Sequence, residues 1–175
     1  MMRKATASDI SRIAAIYDEV IDFQKLNGGY MSWIKGVYPT MQTASDALSL
    51  DRLYAFEKDG CIVGSVILDC EQPREYSKVN WATKNDSRKA LVIHTLCVAP
   101  DYMGIGIATE MLSFAKELAD SLNCSSMRLA TNLKNSGAIH LYEKNGFSIV
   151  GYDKVLLDGK IECPRQCFME FIINN

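Results

Sequence analysis

This sequence has little net charge and no long apolar run. Its 19 Lys and Arg residues nearly balance 21 Asp and Glu, leaving a formal charge of −2 over 175 residues. Without a basic excess, the electrostatic footprint of a nucleic-acid-binding protein is missing. No apolar stretch approaches the length needed to span a bilayer, so no membrane contact is expected. Residues Met1 to Asp9 hold no apolar core of the kind a signal peptide carries. Histidine is scarce: His94 and His140 are the two. The six cysteines (Cys61, Cys70, Cys97, Cys124, Cys163 and Cys167) form no C-x-x-C pair, and both histidines lie far from Cys163 and Cys167. A metal site is therefore not expected. All six are expected to be reduced, small core residues, which argues for the cytosol.

What is present is ordinary globular material, 48% hydrophobic and 23% charged. The length suits one compact domain, residues 1–175, able to bury a core without disulfides or a structural metal. A short strand is expected at 2–6, followed by an N-cap at Ser8-Asp9. Ile10, Ile13, Ala14, Tyr17, Val20 and Ile21 repeat at helical spacing, predicting a helix to about Phe23 that Asn27-Gly28-Gly29 stops. A second helix is expected over Thr43–Leu50. A hairpin follows, Leu53–Glu57 and Cys61–Asp69 about an Asp59-Gly60 turn. Residues 71–89 are polar and read as a long loop or insertion. Ala90–Val98 is a strong strand, Ile107–Leu122 an amphipathic helix, Met127–Ala130 a strand and Ser136–Lys144 a short helix. Strand pieces at Phe147–Val150, Val155–Leu157 and Cys167–Ile173 complete the chain. Hairpins and crossovers together predict a mixed α/β (α+β) fold, a sheet with helices on its faces.

The most informative segment runs from Val98 to Ala108, with Gly104 and Gly106 joining a buried strand to an amphipathic helix. Glycines let the backbone turn tightly, and the N–H groups at a helix start carry partial positive charge that suits phosphate. A P-loop would need Gly-Lys-Ser/Thr, which is absent. A dinucleotide fingerprint would need glycine at 109, where Thr109 stands, and an acidic residue near Asn123 and Cys124. A coenzyme A pyrophosphate loop and a plain ligand-free turn remain.

Downstream stands Asn135-Ser136-Gly137-Ala138-Ile139-His140-Leu141-Tyr142-Glu143-Lys144-Asn145-Gly146-Phe147. With the turn at 98–108, it strongly resembles the GNAT N-acetyltransferases. Their pattern is V-x-P-x-x-[RQ]-G-x-G-[IVL]-[GA], then N-x-x-A-x-x-[LF]-Y-x-x-x-G-F after the next strand. The resemblance covers nearly the whole chain. It implies a mostly antiparallel twisted sheet of about seven strands, helices on both faces, and a splayed central strand pair. It also implies acetyl-CoA as co-substrate, an amine acceptor on a small molecule or peptide, and a homodimer as a common assembly.

Residue roles follow from the same resemblance. Leu96 and Val98 would pair with the pantetheine arm, and the Leu96 N–H would meet the developing oxyanion. Gly104, Gly106, Ile107, Ala108 and Thr109 would offer N–H groups to the pyrophosphate. Met103 stands where the family usually carries Arg or Gln; methionine cannot donate to phosphate, so weaker cofactor affinity is expected. Asn135 would contact the cofactor or fix the splayed strands. Tyr142 would lie near the sulfur as general acid, since a phenol is protonated at neutral pH. His94 is a candidate base, as imidazole titrates near neutrality and shares a strand face with Leu96. Tyr30, Trp33, Tyr38 and Trp81 are candidates for the acceptor pocket; Asp69 and Glu71, at the end of the preceding strand, are runners-up to His94 as base and lean towards a cationic amine. His140 reads as a surface residue. Two functions stay open: an N-acetyltransferase, and a non-catalytic acyl-CoA-binding or regulatory module on the same fold.

Overall fold

The computed structural model describes residues 1–28, 32–86, 88–157 and 161–173, so Tyr30 lies outside them. Its strands are β1 (Met2–Lys4), β2 (Leu53–Lys58), β3 (Cys61–Asp69), β4 (Ala90–Val98), β5 (Ser126–Asn132), β6 (Ser148–Leu157) and β7 (Ile161–Ile172). Its α-helices are α1 (Ile10–Leu26), α2 (Met41–Ser49), α3 (Ile107–Ser121) and α4 (Ser136–Lys144). The strands form one seven-stranded sheet in the order β1-β2-β3-β4-β5-β7-β6. The β1–β2, β2–β3, β5–β7 and β6–β7 pairs are antiparallel. The β4–β5 pair is parallel, and its register runs only from Ala90↔Ser126 to Val92↔Arg128. The expected mostly antiparallel, mixed α/β sheet is the one found.

The chain divides into two compact units. Unit one is Met1–Leu68 with His94–Phe114; unit two is Asp69–Ile93 with Ala115–Asn175.

In unit one, Ile13, Ile16, Tyr17, Val20 and Ile21 form the buried stripe of α1. They pack with Ala44 and Ala47 of α2 and with Leu53 and Ala55 of β2. The helix outruns the expected end at Phe23 because Asn27 closes it, its side chain and its N–H both donating to Phe23 O, at 2.8 and 3.0 Å. Helix α2 starts at Met41, two residues before the expected Thr43, because Thr40 serves as its N-cap. Gly64 on β3 has no room for a side chain. A Cβ there would lie 2.9 Å from the Cys97 carbonyl oxygen and 3.2 Å from Met111 Sδ.

Asp9 opens α1. Its carboxylate accepts from Thr6 N at 2.8 Å and from the Arg3 guanidinium at 2.7 and 3.0 Å. The Arg3 bonds outweigh burial and hold the Asp9 pKa down at about 2. A depressed carboxyl pKa stabilises the fold above the unfolded value near 4, and that contribution is lost as pH falls towards 2. Asp9→Ala should therefore cost about 1–2 kcal/mol at pH 7, a drop of about 3–6 °C in Tm. The gap from wild type should close as melts are repeated from pH 5 down to pH 2. A constant gap would assign the loss to packing instead.

In unit two, residues 71–89 are the long connection expected between β3 and β4, but it is packed inward. This polar stretch forms a 3-10 turn at Arg74–Lys78 and buries Tyr76, Val79 and Trp81 against Val92 and Phe168. Trp81 is 4% exposed, donates from Nε1 to Tyr76 O at 2.7 Å, and meets Phe168 edge-on at 6.0 Å. It is a core residue of unit two. The Arg128 guanidinium lies 4.5 Å from the Trp81 ring centre and pairs with Glu170 at 3.2 Å. Arg128 also donates to Gln72 Oε1 at 2.6 Å and Thr83 Oγ1 at 2.9 Å. Glu170 accepts from Ala82 N at 2.7 Å and Thr83 Oγ1 at 2.5 Å. Polar residues that read as loop thus close a buried network with two strands.

Strand β7 begins at Ile161, six residues before the expected start, because β6 pairs with it beyond Pro164 and Arg165. The two expected pieces of β6 are one strand, since Tyr152 and Asp153 pair with Cys167 and Gln166. All six cysteines are free, as expected, but Cys61 is exposed at the start of β3 and Cys70 is half-buried. Only Cys97, Cys124, Cys163 and Cys167 are core residues.

Candidate active site

The glycine turn lies in unit one. After β4, the amides of Tyr102 and Met103 bond back to Ala99 O and Pro100 O at 2.9 and 3.1 Å. Gly104 (φ 77°) and Gly106 (φ 94°) then adopt left-handed conformations that a side chain would strain. A Cβ at either position would meet nothing within 4 Å. Glu110 N is the first amide of α3 to bond back, to Gly106 O at 3.1 Å. Among the described residues, the N–H groups of 104–109 donate to no protein acceptor. Two glycines with open space, followed by a helix start with free donors, fit a pyrophosphate.

Met103 takes another part. Its side chain packs on the α1–α2 core, together with Tyr102 and Trp33. It anchors the turn and does not meet phosphate as a donor. Along β4, His94 and Leu96 are half-buried while Thr95, Cys97 and Val98 are buried. Thr95 has φ 46°, a left-handed residue between the candidate base and the candidate oxyanion donor. Trp33 meets Tyr17 edge-on at 6.1 Å. Tyr38 is half-buried and bridges to Ile34 through backbone bonds of 2.8 and 2.9 Å.

The remaining candidates lie in unit two. Asn135 is the N-cap of α4, its Oδ1 accepting from Ala138 N at 3.3 Å, so its family position coincides with a local structural role. Tyr142 sits near the end of α4, 7% exposed, with its ring edge-on to Phe147 at 5.5 Å. Burial pushes its pKa upward, and nearby Cys167 adds to the shift. The phenol is therefore protonated at any neutral pH. Asp69 accepts from Glu71 N at 2.9 Å, and Glu71 itself is exposed. His140 is exposed, as expected.

Tyr17 and Thr95 are polar residues that the sequence reading passed over. A phenol inside the apolar stripe of α1 was the only signal for the first, and nothing marked the second. Unit one therefore holds the turn with His94, Leu96, Val98, Trp33 and Tyr38; unit two holds Asn135, Tyr142, Asp69 and Glu71.

The model of the acetyltransferase (GNAT) family matches residues 18–147. An uncharacterised N-acetyltransferase of Methanocaldococcus jannaschii is 26% identical over 147 residues, 83% of this chain. The chain spans only 59% of that relative's length. A thialysine N-epsilon-acetyltransferase of Bos taurus is 22% identical over 156 residues, covering 83% of this chain and 82% of the relative. Among solved structures, a Salmonella typhimurium acetyltransferase with acetyl-CoA as its cofactor superposes with a TM-score of 0.68 at 15% identity. That match covers 100% of this chain and 94% of the other. With the family model spanning most of its length, the chain belongs to the GNAT acetyltransferase family.

Proposed function

We propose that this chain transfers the acetyl group of acetyl-CoA to a primary amine on a small molecule or a peptide, by direct attack of the amine. The observation that carries this reading is the turn at 104–109, where six consecutive N–H groups have no protein acceptor among the described residues, two of them on left-handed glycines. These donors would hold the pyrophosphate. Acetyl-CoA supplies an activated thioester carbonyl. The N–H of Leu96 would stabilise the oxyanion, His94 would take the proton from the amine, directly or through water, and Tyr142 would donate to the leaving sulfur. Trp33, Tyr38 and Trp81 would line the acceptor side, and Asp69 and Glu71 would favour a cationic amine. The name of the bovine relative, which acts on a lysine-like side chain, makes a terminal alkyl amine the first acceptor to try.

The second reading, an acyl-CoA-binding module without turnover, is favoured by one observation. Met103 gives its side chain to the core, and no cation takes the family's Arg or Gln position.

A thermal shift separates these readings from failure of both. Ligand at about 100 times its Kd stabilises by about 2.7 kcal/mol, a rise of about 5–10 °C. Acetyl-CoA and CoA should raise Tm, and NAD should not. Thiol release with lysine, thialysine, a polyamine, an aminoglycoside or a peptide would then identify the enzyme. A rise in Tm with no turnover on any amine would favour the binding module. No rise at millimolar acetyl-CoA would overturn both readings.

A further inference from the structure

Tyr142 carries its phenol on a short helix, and the phenol has no bond of its own to aim it. Helix α4 is nine residues long, a length that does not hold by itself in water. The Tyr142 hydroxyl bonds to no protein group among the described residues, so the ring stands where α4 and its neighbours put it.

At its C-terminal end α4 closes on itself. Asn145 N donates to Tyr142 O at 3.0 Å, Gly146 N to Glu143 O at 2.9 Å, and Phe147 N to Tyr142 O at 3.0 Å. The carbonyl of Asn145 is taken by another element: Lys116 of α3 donates to it from Nζ at 2.7 Å. The same ammonium lies 4.4 Å from the centre of the Phe171 ring on β7. Phe171 packs on Phe147 at 5.5 Å, and Phe147 meets Tyr142 edge-on at 5.5 Å. Gly146 is pressed against the first of these rings, since a Cβ there would lie 3.2 Å from Phe171. All of these residues belong to unit two.

Lys116 has no carboxylate partner among the described residues, and burial lowers its pKa. A half-buried ammonium without a counter-charge is costly unless its surroundings are negative. The carboxyl end of a helix carries partial negative charge, and so does the face of an aromatic ring. One cation thus ties the end of α4 to the row of rings that borders Tyr142.

We propose that Lys116 is a positioning residue for Tyr142: it anchors the C-terminal end of α4 through Asn145 O and Phe171, and so sets where the phenol stands. The positioning role rests on the acetyltransferase reading with Tyr142 as the acid; the anchor does not.

Lys116→Met in the full chain keeps an unbranched side chain over Phe171 and removes the charge and the bond. Amide exchange should rise about fivefold at Asn145, Gly146 and Phe147 while the amides of β5 stay as they were. Lys116→Arg, which keeps the cation, should stay near wild type. Unchanged exchange at those three amides in Lys116→Met would overturn the anchor. On any amine that is turned over, Lys116→Met should lower kcat about 10-fold with the acetyl-CoA KM within twofold, and Lys116→Arg should restore most of it. In a Tyr142→Phe background, Lys116→Met should lower kcat no further, because its effect passes through the phenol. A second loss of about 10-fold there would overturn the positioning role, as would an unchanged kcat in the single variant. Should Tyr142→Phe alone leave kcat unchanged, or no amine be acetylated, the acid reading fails and takes the positioning role with it; exchange still decides the anchor.

Discussion

Replacing Tyr142 with phenylalanine should lower turnover about 100-fold and leave acetyl-CoA binding unchanged. Phenylalanine keeps the edge contact with Phe147 at 5.5 Å, so only the hydroxyl is lost. That hydroxyl bonds to no protein group among the described residues, so its removal orphans nothing. Burial raises the phenol's pKa, so it keeps its proton throughout the range in which the acceptor amine and an imidazole titrate. A thiol titrates near 8.5, below any phenol, so complete proton transfer to a free thiolate runs uphill. Tyr142 is therefore expected to act while charge is still building on the sulfur. A 100-fold loss corresponds to about 2.7 kcal/mol of transition-state stabilisation. Steady-state kinetics should place the loss in kcat, and calorimetry should find acetyl-CoA bound as tightly as before. A kcat within threefold of wild type would remove Tyr142 from the chemistry. The raised pKa also has a stability consequence: its contribution is complete below about pH 10 and is lost as pH rises above that value, a dependence that Tyr142→Phe abolishes.

The largest stability loss is expected at Arg128. Its side chain is 8% exposed and that of its partner Glu170 is 1% exposed. Among the described residues, Arg128→Met would leave the buried Glu170 carboxylate with Ala82 N and Thr83 Oγ1 to solvate it. Breaking a buried pair from one side costs about 3–5 kcal/mol, a fall of roughly 6–20 °C in Tm. Adding Glu170→Gln should recover part of the loss, since a neutral amide needs no counter-charge. Thermal melts of the single and double variants form the test. A single variant within about 1 kcal/mol of wild type would mean that water reaches the carboxylate. The second variant matters because Gln72, Thr83 and the Trp81 ring also hang on Arg128. Restoring charge balance alone will not re-anchor them.

These two residues also show what was legible in the sequence. The helix that carries the candidate Tyr142 was legible, because its limits, Ser136 and Lys144, are marked by a short motif and by Asn145-Gly146. The glycine turn was legible for the same reason: local chemistry written in consecutive residues. Arg128 and Glu170 were not, because they stand 42 positions apart and pair only when β5 and β7 lie side by side. The same blindness hid the burial of the loop at 71–89. Their Gln, Thr and Trp side chains are polar or large, and nothing local says that they face strands. Pro164 hid the first half of β7, because a proline argues against a strand unless the partner's register is known. Met103 reads as a missing donor; its packing on the α1–α2 core depends on helices 54 or more residues earlier in the chain.

Gly64 sets a limit of a different kind. Every single-base change in a glycine codon that alters the amino acid adds at least a Cβ. At this position that carbon would be driven 2.9 Å from a main-chain oxygen of β4, which no side-chain rotation can relieve. Mutation thus has no neighbouring step here: position 64 can be left only if β3 and β4 move apart first, so backbone change must precede side-chain change at this point in the gene.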